Sequence, residues 1–183
     1  MESELIRTLA SIILQSAPLA IAVCGETITE RAGVINLSVD GSMLLAAMTG
    51  FVVALQTDRV WLGFLAAAAV GAFMALIVAF GSFRLNQNQV AIGFVLTLLG
   101  DDLSAFIGQS FTRIPGPAVK FMPIPYLKDI PIIGPIFFNQ DPLVYFTILL
   151  IITIWWFLWP TQPGWRLRGG GERPEAACAA GIN

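Results

Sequence analysis

Six side chains in or beside the apolar runs of this sequence carry a hydrogen-bonding group that could face a membrane path: Asn36, Asp40, Asn88, Gln89, Asp101 and Asp102. Amides and carboxylates so placed can hydrogen-bond a polar, uncharged solute, and an ionisable residue inside a membrane segment marks a path by default. Each also has a plainer role. Ser38 or Asp40 can cap a helix that begins at Gly41. Asn88 and Gln89, with Asn86 and Gln87, can simply turn the chain. Asp101 and Asp102 lie about 100° apart on a helix, so they cannot both face one groove; they can instead sit near an interface, with residues 103–111 leading outward. Nothing points to catalysis. The chain has no histidine, which excludes histidine metal sites and catalytic triads. Its lysines are Lys120 and Lys128, and neither stands in a GK[ST] loop that would cradle ATP phosphates. Cys24 and Cys178 read as single residues, one packed and one exposed.

The elements that carry these groups are membrane helices. The sequence is 56% hydrophobic and 12% charged, against about 25% charged in soluble domains. A net charge of −2 gives no reason to expect a nucleic acid partner. The acidic start at Glu2 and Glu4 is unlike a signal peptide. Five spans are predicted, giving an all-α polytopic transmembrane bundle. They lie over residues 5–24 (with Pro18 inside, which should kink the helix), 35–55, 61–83, 90–111 (interrupted by Asp101 and Asp102) and 143–159. The charge-free part of the second, 41–55, is shorter than the roughly 20 residues a span needs, so this core helix is short or discontinuous. In the third, Gly63, Ala67, Gly71, Ala75 and Ala79 make a small-residue stripe suited to close helix packing. Trp155, Trp156 and Trp159 mark a membrane boundary.

Between these spans, the polar, Gly-punctuated stretch 25–41 is an elbow or broken backbone leading into the second helix. Residues 112–141, with six prolines, form an ordered cap on the helices. After Trp159, Pro160 and Pro163 stop the helix, residues 164–168 are basic and amphipathic, and Gly169–171 are flexible. Pro174 then opens a short helix with Glu175 in its first turn, and Gly181 ends it. So short a helix is marginal alone and needs a docking surface; a juxtamembrane stop region with lipid-facing arginines reads the same residues equally well. The two sides of a five-span chain carry five basic residues each, and discounting the long 112–141 loop places the N-terminus outside and the tail in the cytoplasm.

Several stretches resemble one family. Gly25-Glu26, then Thr29 to Leu37 (TERAGVINL), then Asp40-Gly41 are similar to the inner-membrane permease subunits of ABC importers for branched-chain amino acids, simple sugars and nucleosides, and most of all to the nucleoside and simple-sugar branch. Asn88-Gln89-Val90 with Gly93 resembles the opening of the next core helix of that family, and Ile124-Pro125, Asp129-Ile130-Pro131, Gly134-Pro135 and 139–145 resemble its external cap. Gly171-Glu172, Pro174-Glu175-Ala176-Ala177 and 180–183 resemble its cytoplasmic segment.

The resemblance implies half of an ATP-driven membrane pathway, with no ATPase site and no cofactor of its own. ATP would act on partner ATPase subunits, beside a second permease subunit and an external substrate-binding protein, in a bacterial-type inner membrane. Residues 1–183 would then be one permease domain, incomplete at its C-terminus, with an external cap over 112–141 and a coupling segment over 161–183. Gly171, Glu172, Pro174, Glu175, Ala176, Ala177 and Gly181 would belong to the ATPase-coupling segment. Gly169-Gly170, Arg173, Cys178 and the Asp101-Asp102 pair depart from the family pattern. The expected cargo is a nucleoside or simple sugar; a branched-chain amino acid, an ATPase-independent channel or secondary transporter, and an inert truncated chain are the competing readings.

Overall fold

In the computed structural model, residues 2–127, 130–131 and 133–181 are described. Lys128, Asp129 and Ile132 of the expected cap and Ile182-Asn183 of the tail motif lie outside them. The described residues form helices and turns without strands, and divide into two compact units: Met1–Gly33 with Val119–Asn183, and Val34–Ala118.

The Val34–Ala118 unit packs three long helices. These are α2 (Val39–Thr57), α3 (Val60–Ala79, extended by a π-turn over Phe80–Arg84) and α4 (Gln89–Gly108, followed by a 3-10 turn over Gln109–Phe111). Met74, Val78 and Leu96 form its buried core, with Leu45, Ile77 and Ile92 packed around them. Glycines set the helix spacing. A Cβ on Gly63 would fall 2.5 Å from the Gly50 carbonyl oxygen, so α2 and α3 touch backbone to backbone there. The small-residue stripe of α3 is used only in part: Ala67 meets Gly50, whereas nothing lies within 4 Å of a Cβ at Gly71 and Ala75 is exposed. The short second helix reaches 19 residues by taking in Val39 and Asp40. The fourth segment is not interrupted: α4 runs unbroken through Asp101 and Asp102 for nearly two further turns.

The other unit is built on α1 (Glu2–Arg31), α5 (Pro142–Leu158), α6 (Gln162–Glu172) and α7 (Pro174–Ala179), with a π-turn over Gly134–Phe138. Helix α1 continues through Pro18 and seven residues beyond Cys24, which corrects the elbow expected to begin at Gly25. Polar residues do not stop this helix, because their side chains return to its own backbone: the Thr27 hydroxyl donates to the Val23 carbonyl and the Thr29 hydroxyl to that of Glu26. Gln140, 1% exposed, ties the cap segment to α1 by donating from Nε2 to the carbonyls of Ala10 and Ile136. Asp141 caps α5, accepting from the Val144 amide at 3.1 Å, with Pro142 at the first helical position.

Four helical segments are long and apolar enough to cross a membrane: Glu4–Arg31, Val39–Thr57, Val60–Arg84 and Gln89–Phe111. A fifth arises if α5 and α6, bent by 74° at their junction, count as one span. At most 17% of each span's most apolar window is buried within the protein. The rest is apolar surface for lipid or other helices, as in Phe73, Leu76 and Phe106.

Candidate functional site

The sequence-predicted pathway residues fall in the Val34–Ala118 unit, and most of them hold backbone. The Asn36 side-chain oxygen accepts from the Ser38 amide at 3.0 Å and the Ser38 hydroxyl at 2.6 Å, closing an Asx turn before α2. Ser38 is fully buried and occupies the cap position of α2, yet it makes no side-chain cap bond, because its hydroxyl is given to Asn36. Asp40 is exposed in the first turn of α2, where the positive end of the helix dipole favours a carboxylate. Gln89 Oε1 accepts from the Ile35 amide at 3.0 Å. Asn88 caps α4 by accepting from the amides of Val90 and Ala91. Together Asn36, Asn88 and Gln89 brace the 34–38 break against the start of α4.

That break is pinned further along α4. The Thr97 hydroxyl donates to the Leu37 carbonyl at 2.5 Å, and the Ser104 hydroxyl to the Leu44 carbonyl at 3.1 Å. A Cβ on Gly41 would lie 2.5 Å from the Thr97 carbonyl oxygen, one on Gly100 would lie 2.5 Å from that of Gly41, and one on Gly93 would lie 2.9 Å from the Leu37 amide nitrogen. Sequence reasoning missed Thr97, Gly100 and Ser104. The signal was present: Gly93, Thr97, Gly100 and Ser104 are small residues at spacings of four, three and four, one face of a helix. Asp101 and Asp102 do not join this seam. Asp102 is two residues past Gly100, roughly 200° around the helix. Both carboxylates are exposed, and neither has a hydrogen-bond or ion-pair partner among the described residues.

The coupling candidates lie in the other unit, where two distant motifs meet. Helix α1 ends in the left-handed Gly33, at φ 83°. A Cβ on Gly33 would come within 3.1 Å of the Gly171 Cα, and one on Gly171 would fall on the Arg31 carbonyl oxygen and within 2.7 Å of the Gly33 nitrogen. The end of α1 and the last turn of α6 therefore touch through bare backbone. Around this contact, the Arg31 guanidinium stacks 5.3 Å and that of Arg168 4.4 Å from the Trp159 ring. Arg168 Nε is buried without a hydrogen-bond partner among the described residues, and the indole face is the compensation open to it. The Arg31–Glu172 pair, 4.0 Å apart with side chains 45% and 70% exposed, adds little. Exposed ion pairs contribute about 0–1 kcal/mol and exposed cation–π contacts about 0.5–1 kcal/mol, so Arg31 gains comparably from either, while Arg168, with its buried Nε, gains more from the ring.

Glycines 169–171, expected to be flexible, are helical in α6. Thr161 caps this helix by accepting from the Gly164 amide at 3.2 Å, and Trp165 Nε1 donates to the Trp159 carbonyl at 3.1 Å. Gly164 packs so tightly at the bend that a Cβ would sit 2.8 Å from the Leu158 Cα. Cap and packing override the poor propensity of three glycines. Nothing lies within 4 Å of a Cβ at Gly169 or Gly170. Gly169→Ala and Gly170→Ala should each raise stability by about 0.5–1 kcal/mol, seen as a higher thermal unfolding midpoint in detergent.

Helix α7 follows a break at Arg173. Of its six residues only Ala177 is buried; Pro174, Glu175 and Ala176 are exposed. Gly181, at φ 78°, donates its amide to the Cys178 carbonyl and stops the helix as expected.

Comparison with known proteins matches residues 8–183 to the family described as the permease component of branched-chain amino acid transport systems. A putative glucose ABC transporter permease protein of Haloferax volcanii is 39% identical over 168 residues, covering 90% of this chain and 51% of the relative. A guanosine ABC transporter permease protein of Bacillus subtilis is 35% identical, covering 93% of this chain and 57% of the relative. A nucleoside ABC transporter permease protein of Lactococcus lactis is 32% identical, covering 95% and 58%. The chain thus spans about half the length of the curated relatives it matches. No solved structure matches it.

Proposed function

Since the chain belongs to the permease-component family of branched-chain amino acid transport systems, we propose that it builds part of the membrane pathway of an ATP-driven ABC importer for nucleosides or simple sugars. The cargo follows the names of the relatives, which are glucose, guanosine and nucleoside permeases. ATP is bound and hydrolysed by partner ATPase subunits, a second permease subunit completes the pathway, and an external binding protein delivers the cargo. The chain lies in the plasma membrane with its N-terminus outside and α7 in the cytoplasm.

The observation that carries this reading is the presentation of α7. A six-residue helix is far too short to be stable alone, yet it is held out with all but Ala177 exposed, next to a glycine-tight contact between α6 and α1. That is the arrangement of a helix that docks into a partner and passes its displacement to a membrane span. Asn36, Asp40, Asn88 and Gln89 shape the entry to α2 and α4, and one of Asp101 and Asp102, which cannot both face the same groove, is the carboxylate left free to face a pathway. The test is uptake of radiolabelled guanosine and glucose by the assembled transporter. Pro174→Leu with Glu175→Arg should abolish ATPase-dependent uptake and co-purification of the ATPase subunit. Uptake that persists without the ATPase subunit would point instead to a channel or secondary transporter.

A further inference from the structure

We propose that the elbow between α5 and α6 seats the phosphate of an anionic phospholipid, with Arg166 as its cation and Trp165 as the wall of the seat. An open cleft of about 390 Å³ lies there, lined by Pro160, Thr161, Gln162, Trp165 and Arg166. Its depth follows from α5. Seventeen residues at 1.5 Å each make a rod of about 25 Å, close to the roughly 30 Å of a hydrocarbon core. This rod has no charged residue and ends at Trp155, Trp156 and Trp159, residues that settle at headgroup level. Helix α6 leaves it at 74°, so with α5 along the membrane normal α6 runs nearly in the membrane plane and the cleft opens among the headgroups.

The chemistry of the cleft favours an anion. The Thr161 hydroxyl is already used, donating to the Phe157 carbonyl and accepting from the Gly164 amide. Arg31 and Arg168 are drawn onto the Trp159 ring. The Arg166 guanidinium and the Gln162 amide have no hydrogen-bond or ion-pair partner among the described residues. A planar, weakly hydrated guanidinium matches two phosphate oxygens at once. The Trp165 ring is 68% exposed, yet its Nε1 bond to the Trp159 carbonyl fixes its position. A fixed indole beside a free guanidinium suits a phosphodiester attached to a glyceryl ester better than a free phosphate ion.

The test is lipid retention by the purified full chain in nanodiscs of phosphatidylcholine mixed with phosphatidylglycerol, read by native mass spectrometry. The wild type should retain phosphatidylglycerol over phosphatidylcholine. Arg166→Gln should lower that preference about five-fold, the equivalent of about 1 kcal/mol for one arginine at a membrane surface. Arg173→Gln, which removes the same charge outside the cleft, should leave it intact. Three results would overturn the proposal: Arg166→Gln retaining phosphatidylglycerol as the wild type does, Arg173→Gln losing it equally, or millimolar inorganic phosphate displacing it, which would make the ligand a free anion.

Discussion

On the function proposed above, a transporter carrying Gly171→Leu is expected to hydrolyse ATP and retain its ATPase subunit while its uptake falls about 5- to 150-fold. A side chain at this position would fall on the Arg31 carbonyl oxygen, and neither partner in that contact is a flexible side chain that can step aside. The last turn of α6 must therefore move off the end of α1. Overpacking of this kind costs about 1–3 kcal/mol, and a coupling free energy of that size corresponds to about 5- to 150-fold. Helix α7 and its exposed face are untouched, so ATPase docking should survive. Gly170→Leu is the control, because a Cβ there meets nothing within 4 Å. Uptake and ATP hydrolysis measured in the same proteoliposomes separate the outcomes. Equal uptake by the two variants would mean that the α1–α6 contact carries no coupling.

Gly100→Leu should damage folding itself. Helices α2 and α4 meet backbone to backbone at Gly41 on Thr97 and Gly100 on Gly41, and Gly93 of α4 abuts Leu37 in the break just before α2, with the Thr97 and Ser104 hydroxyl bonds between and beyond these points. Relieving one point by sliding α4 would drive another into contact, so the strain has no easy outlet. About 3 kcal/mol of overpacking, at about 2–4 °C per kcal/mol for a chain of this size, lowers the unfolding midpoint by roughly 6–12 °C. Loss of folded yield should accompany it. Gly71→Leu on α3, where a Cβ meets nothing within 4 Å, should leave both unchanged in detergent; a matching loss there would show that the α2–α4 seam is not special.

The helices were legible because a membrane demands long apolar runs, and those runs stand out between Arg59, Arg84 and the Pro-rich 112–141 stretch. Pro174 opening α7 and Gly181 ending it were legible, because each residue type suits its position. Other helix ends judged from glycine were not. Gly25 and Gly169–171 look like breaks, but a helical glycine costs only about 1 kcal/mol. At Gly25 the neighbouring threonines bond back to the helix; in α6 the Thr161 cap and tertiary packing compensate. Asp101-Asp102 misled in the same way, since charge in a membrane span is expensive for the environment and does nothing to unwind α4. The contact of Gly33 with Gly171 was invisible. Each motif could be read on its own, but no local pattern says that residues so far apart in sequence share one joint.

That joint has a mechanical character of its own. Contacts between long side chains have slack, because a rotamer hop absorbs a small push before anything else moves. Gly33 and Gly171 have no rotamers, and the bend at Gly164 above them is packed equally tightly against Leu158. A displacement reaching α6 therefore finds little compliance on its way to α1. The same stiffness leaves the surrounding side chains little part in holding the joint, so its geometry should tolerate exchange of the exposed Glu30, Ala32 and Glu172 better than any addition to Gly171.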